Sequence, residues 1–177
     1  MNKDTNKKLV NRYPFLLPRN VFTDELDDNY DYSYIRGIGE IPYGWEKLFL
    51  QMCEELRRQF IRDNQLETFR FTQIKEKYNN LECYHNGCSE KAQRILDKYS
   101  YLSQYVCTVC GKPATYETSG YVMSFCDHCY NIFGLNQKST AIVFKPAFGI
   151  TMFTAGCKIR KRVRVLRQWQ KYQRSIA

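Results

Sequence analysis

Apolar residues recur at helical intervals along two stretches of the chain. Trp45, Leu48, Phe49, Met52, Leu56 and Phe60 mark one face through about Asn64, with Glu46, Glu54, Glu55, Arg57, Arg58 and Arg62 between them. Steps of three and four predict an amphipathic helix whose aromatic stripe is core. Ala92, Ile95, Leu96, Tyr99, Leu102 and Val106 repeat the pattern behind Ser89, whose hydroxyl suits a helix N-cap. This second helix is expected to run directly into Cys107. Between the helices, Leu66–Ile74 and Leu81–Tyr84 read as strands around the turn Tyr78-Asn79-Asn80. Phe69, Phe71, Leu81 and Cys83 would share their buried face. The expectation is an α+β fold with a small helix–hairpin–helix body over residues 13–106.

The flanking segments follow other patterns. Residues 1–12 are polar and basic and are expected to be mobile. Tyr13-Pro14-Phe15-Leu16-Leu17-Pro18 is apolar and bracketed by prolines, which predicts an extended strap. Pro42-Tyr43-Gly44 reads as a turn. Beyond the body, Ala141–Phe144 and Phe148–Phe153 read as short docking strands within 131–157. Ile159, Val163, Leu166 and Trp169 form a loose stripe among cations, which predicts a basic C-terminal helix over 158–177.

Cysteine spacing changes the picture. Cys107-Thr108-Val109-Cys110 is followed, after fifteen residues, by Cys126-Asp127-His128-Cys129. Two C-x-x-C pairs at that separation form a zinc pattern. Structural Zn²⁺ takes four thiolates in a tetrahedron with Zn–S near ~2.3 Å, and a two-residue gap lets both thiolates of a pair reach one ion. Gly111 supplies the freedom a tight knuckle needs, and Pro113 stiffens the exit. Thr115, Tyr116, Tyr121, Val122 and Phe125 suit strands around a Ser119-Gly120 turn. The segment 107–130 is therefore expected to be a zinc ribbon, with His128 beside the site or exposed. Four thiolates leave no open position, so the role is structural. Cys83-x-His85-x-x-Cys88 has the residue types for a second metal but lacks an evident fourth ligand. It reads instead as a buried strand thiol and a loop thiol.

The charge is unevenly placed. Of the formal +9, Lys158, Arg160, Lys161, Arg162, Arg164, Arg167, Lys171 and Arg174 supply nearly all, with no acid among them. The tail reads as a solvated segment, as a nucleic-acid anchor whose cations neutralise phosphates while Trp169 and Tyr172 stack on bases, or, with apolar residues too sparse to favour it, as a membrane-surface helix. An opposite pole lies at Asp24, Glu25, Asp27, Asp28 and Asp31, interleaved with Tyr30, Tyr32 and Tyr34. The offsets do not match a calcium loop. The segment reads as a solvated loop or as an acidic, aromatic patch for a basic partner. Arg36-Gly37-Ile38-Gly39-Glu40 lacks the third glycine and the context of a dinucleotide site. No catalytic constellation is evident, so an enzyme is not expected. No apolar leader follows Met1 and no run reaches membrane-spanning length, so an intracellular protein with reduced thiols is expected, which the resemblance described next would place in a host cytoplasm.

Three segments carry a family resemblance: Arg12-Tyr13-Pro14-Phe15-Leu16-Leu17-Pro18-Arg19-Asn20, Gln73-Ile74-Lys75-Glu76-Lys77-Tyr78, and Cys107-Thr108-Val109-Cys110-Gly111-Lys112-Pro113-Ala114. Over about residues 12–130 the chain resembles small phage and prophage proteins of Gram-positive bacteria. The resemblance implies the four-cysteine metal site and extends, by association, to type II anti-CRISPR proteins, which inhibit Cas9. The tail from about Ala141 departs from the compact members, so its role is not implied. The expected function is inhibition of a host nucleoprotein, with Cas9 the leading candidate, by binding that blocks nucleic-acid loading. Asp24, Glu25, Asp27, Asp28, Asp31, Arg160, Lys161, Arg162, Arg164 and Arg167 are the candidate contacts. The alternative is a phage nucleic-acid-binding accessory protein.

Overall fold

Phe15 lies at the centre of an aromatic core, with the rings of Phe60, Phe71 and Phe69 at 5.6, 5.7 and 5.9 Å, all edge-on. The computed structural model describes residues 2–118, 122–133 and 142–144. They form the helices α1 (Lys3–Arg12), α2 (Glu46–Asp63), α3 (Glu90–Ser103) and α4 (Asp127–Phe133). The strands are β1 (Phe71–Lys77), β2 (Asn80–His85), β3 (Tyr116–Thr118), β4 (Ser124–Phe125) and β5 (Ile142–Phe144). Both sheets are antiparallel, one of β1 and β2 and one in the order β4-β3-β5, so the class is α+β.

Helix α2 buries the predicted stripe: Trp45, just before it, and Leu48, Phe49, Met52, Leu56 and Phe60 are all inaccessible or nearly so. A single 3-10 turn, Tyr43–Trp45, leads into it. Asn64 ends it in the left-handed region at φ 54°, and the Gln65 amide closes back on the Phe60 carbonyl at 2.8 Å. Helix α3 starts where Ser89 predicts: the hydroxyl accepts from the Ala92 amide at 3.2 Å. It stops at Ser103, short of the expected junction with Cys107, and Val106 instead bridges Pro113.

The hairpin turns at Tyr78 and Asn79, both at positive φ, as a two-residue antiparallel turn requires. Strand β1 lies later than its apolar run suggested, at 71–77 instead of 66–74, because pairing with β2 and not side-chain pattern sets its limits. A register shift between Phe71 and Gln73 puts Phe71 and Ile74 on the same buried face although they are three residues apart.

The N-terminal segment departs from expectation. Residues 3–12, read as a mobile basic tail, form α1, capped by the Asn2 side chain on the Thr5 amide at 2.9 Å. Tertiary contacts account for this where composition does not. Val10 and Asn6 are buried, the Asn6 amide donates to the Tyr32 carbonyl at 2.8 Å, and Arg12 pairs with Glu54 at 2.8 Å. Tyr13–Pro18, read as extended, contains a 3-10 turn at Pro14–Leu16. Proline at its first position fits because the missing amide hydrogen would have had no partner there. The expected strand at Phe148–Phe153 and the expected C-terminal helix lie outside the described residues.

Candidate metal centre

Two short loops bring the four paired cysteines together. The first runs through Cys107–Cys110 and closes with the Gly111 amide on the Cys107 carbonyl at 3.0 Å and the Cys107 amide on the Lys112 carbonyl at 2.7 Å. Gly111 holds φ +75°, the left-handed conformation that glycine tolerates best. The second loop leaves β4 at Phe125 and turns into α4, with the Tyr130 amide on the Cys126 carbonyl at 2.8 Å. The Cys129 amide points at Cys126 Sγ at 3.5 Å. Strands β3 and β4 join the loops.

The four sulfur atoms all lie within 4.8 Å of one another, and Cys110 and Cys126 are 3.6 Å apart. A tetrahedral zinc–thiolate centre places its sulfurs about 3.8 Å apart, a separation that follows from a ~2.3 Å Zn–S bond. The spacing is compatible with one metal ion. Cys107, Cys126 and Cys129 are buried and Cys110 is exposed. Phe125 and Tyr130 complete a small core, with Val109, Tyr116 and Met123 packed on it, and the rings of Tyr116 and Tyr130 stack at 4.3 Å.

The thiols do not share a proton affinity. Burial pushes Cys110 and Cys129 up. Burial acts the same way on Cys126, but the Cys129 amide and the neighbouring thiols outweigh it and bring Cys126 down. Each thiolate formed raises the cost of the next, so a cation is what would let all four ionise together. His128 between the last two cysteines is exposed.

The site is tied to the body by residues that the sequence marked for other roles, Trp45 for the helical stripe and Gly44 and Asn79 for turns. The Gly44 amide donates to the Thr108 carbonyl at 2.9 Å, and the buried Trp45 indole to the Val106 carbonyl at 3.1 Å. A β-carbon at Gly44 would sit 2.1 Å from the Cys107 carbonyl oxygen, so only glycine fits. Asn79, at the hairpin turn, is fully buried and donates to Ser124 Oγ at 2.7 Å and Glu117 Oε1 at 3.0 Å. Nothing local marks their contact with the cysteine loops, since the partners lie 38 to 64 positions away.

The other candidates are dispersed. Asp24, Glu25, Asp27, Asp28 and Asp31 lie exposed on the segment before α2. Asp24 faces Arg70 at 3.4 Å and Asp31 pairs with Lys3, so part of that charge is neutralised within the fold. Arg160, Lys161, Arg162, Arg164 and Arg167 lie outside the described residues. Cys83 is on β2 with its thiol pushed by burial up to about 12, and Cys88 is in the following loop. His85 accepts from the Gly87 amide through Nδ1 at 3.1 Å, and its Nε2 lies 3.1 Å from Gln93 Oε1. Nε2 lies 4.0 Å from Cys88 Sγ.

Comparison with protein-family models, curated proteins and solved structures finds no match for this chain. No helix among the described residues is long and apolar enough to cross a membrane.

Proposed function

We propose that the four thiols hold one structural Zn²⁺ and that the chain is a non-enzymatic binding protein. The observation that carries the zinc reading is the mutual approach of Cys107, Cys110, Cys126 and Cys129 Sγ within 4.8 Å. Soft thiolates in a closed set of four suit zinc and leave no place for a substrate, so the ion contributes to folding.

The binding reading rests on the segment from Asn20 to Tyr34. Phe22 is 96% exposed at the tip of a turn. The Asn20 side chain accepts from the Phe22 and Thr23 amides, and the Asn20 amide donates to the Glu25 carbonyl at 2.8 Å. Tyr34 and Val21 are exposed as well, and Tyr30 packs against Tyr32 and Tyr34 at 5.0 and 5.7 Å. An aromatic anchor among carboxylates suits a basic protein surface with an apolar pocket. With the resemblance to phage proteins, that chemistry makes Cas9 the first partner to test, since its nucleic-acid channel is positively charged. The +8 tail has the wrong sign for such a channel. The alternative is a nucleic-acid accessory protein anchored by Arg160, Lys161, Arg162, Arg164 and Arg167.

One purified preparation tests both parts. Metal analysis is expected to give about one zinc per chain, and a folded, zinc-free protein would remove the metal reading. Mixing with guide-free Cas9 is expected to give a stoichiometric complex that weakens when Asp24, Glu25, Asp27, Asp28 and Asp31 are changed to Asn or Gln. If those changes leave the mixture unaltered and the chain instead binds free DNA with a steep salt slope, the accessory reading replaces the inhibitor.

A further inference from the structure

Helix α2 sorts its charges by side. Its buried stripe occupies one face, and at ~3.6 residues per turn the opposite face carries Lys47, Glu54, Arg58 and Ile61, with Arg57 and Arg62 at its margins. Lys47, Arg58, Ile61 and Arg62 are exposed, and Arg57 is half-buried. The acids of the helix are all engaged within the fold. Glu46 lies in the first turn, where the helix dipole favours negative charge. Glu55 pairs with Lys98 and accepts from Tyr99 of α3 at 3.1 Å. Asp63 accepts from Gln59 at 2.8 Å and from the Ser89 hydroxyl. Glu54, on the outer face, is held by two guanidiniums, Arg12 of α1 at 2.8 Å and Arg58 at 3.0 Å.

The cations are not consumed in the same way. Among the described residues, Lys47, Arg57 and Arg62 stand in no ion pair, and Arg62 donates to the neutral Gln59 side chain at 2.7 Å. With Arg12 and Arg58 set against Glu54, this surface holds a clear excess of positive charge. The attraction of cations to a helix C-terminus accounts for Arg62, which stands in the last turn. It does not account for Lys47 or Arg57, because that attraction fades within the turn. From Lys47 to Arg62 the row runs roughly 22 Å along one uninterrupted helix.

We propose that this face of α2 binds the phosphodiester backbone of duplex nucleic acid, without reading the bases. A duplex carries one negative charge per ~1.7 Å of its axis, so a straight row of cations meets phosphates along its whole length. Arg57, Arg58 and Arg62 each present a planar fork that pairs with phosphate through two N–H groups. Glu54 holds Arg12 and Arg58 beside the row and leaves their remaining N–H groups for the ligand. The thiol cluster, the Asn20–Tyr34 segment and the cations of 158–177 take no part in this contact.

Fluorescence polarisation with a short fluorescein-labelled DNA duplex, in the absence of Cas9, tests it. The chain used is full-length, with Arg160, Lys161, Arg162, Arg164 and Arg167 changed to Gln so that the tail does not mask the helix. This chain is expected to bind two unrelated duplex sequences equally, with affinity falling as salt rises, by ~0.9 in logarithmic slope for each phosphate neutralised. Adding Lys47→Gln, Arg57→Gln and Arg62→Gln leaves the contacts of Glu54 intact. It should weaken binding at least about tenfold at low salt and flatten the slope by about 2.7, with circular dichroism unchanged. Arg57→Lys with Arg62→Lys keeps the charge and should keep most of the slope. No binding by the first chain, equal binding by the first chain and its Gln variant, or equally tight binding of a glutamate polymer or of phosphatidylserine vesicles overturns the proposal.

Discussion

Around Phe15 the chain packs Phe60, Phe69 and Phe71, with Phe49 against Phe71, all of them buried. Around Cys107 the buried cluster consists of Phe125, Cys126, Cys129 and Tyr130, so three of its five members are thiols. The first region removes large apolar surfaces from water, at roughly 25 cal/mol per Å², and needs no further support. The second rests on strands of three and two residues and a seven-residue helix, too short to hold themselves. Its attachments to the body hold it, and the proposed metal cross-link would add to them. Those attachments are polar and directional: Gly44 to Thr108, Trp45 to Val106, Asn79 to Ser124. The same chain thus uses non-directional burial where aromatic side chains are plentiful and fixed bonds where they are scarce.

Metal removal is the strongest way to break that contrast. Chelation, or Cys126→Ser, is expected to unfold residues 107–133 while α2 and α3 keep their protection from hydrogen exchange. Structural zinc is worth ~10–16 kcal/mol in finger peptides, far more than this small core can replace. If α2 loses protection together with the cysteine loops, the two regions are one cooperative unit and the distinction fails.

Phe49→Ala attacks the other side. Phe49 is fully buried, so the change should cost ~3–5 kcal/mol and lower the melting temperature. Zinc content per folded chain should stay the same. An unaltered melting temperature would show that the stripe on α2 is not what holds the body.

Gly44→Ala sharpens the comparison at the junction. Its β-carbon would meet the Cys107 carbonyl at 2.1 Å, and the Trp45 turn or the cysteine loop must move. The expected loss is ~3 kcal/mol, the upper end of the overpacking range, read as weaker zinc retention in a chelator titration. The far-UV signal of the helices should hardly change. Retention equal to that of the native chain would mean that the loops do not depend on the body.

Local signals in the sequence reached far in some places. The stripes of α2 and α3, the Ser89 cap and the turn at Tyr78-Asn79 depend on neighbours within a few residues, and the structure has all of them. The cysteine set was equally plain, because two C-x-x-C pairs encode most of the geometry a metal needs. The strand at Ile142–Phe144 was also anticipated, but not its pairing with β3. Local pattern misled in the N-terminal dozen. Nine polar or charged residues look mobile until Glu54, Tyr32 and Asp31 are seen to receive some of them. It was also silent about Gly44 and Asn79. Each is an ordinary turn residue by its neighbours and a fastening point only by its distant partner.

What the sequence determined by itself is therefore what short-range chemistry controls: helical periodicity, a cap, a turn, and four thiols at ligand spacing. What only the tertiary structure decided is where those pieces meet. The seating of Gly44 against Cys107, the burial of Asn79 beside Ser124 and Glu117 and the packing of β2 against α3 all require residues distant in sequence to be adjacent. The reason is physical. A periodic apolar face specifies that it will be buried, since burial depends on area and not on the identity of the partner. A hydrogen bond or a close backbone approach depends on the position of one particular atom, which exists only once the chain has folded.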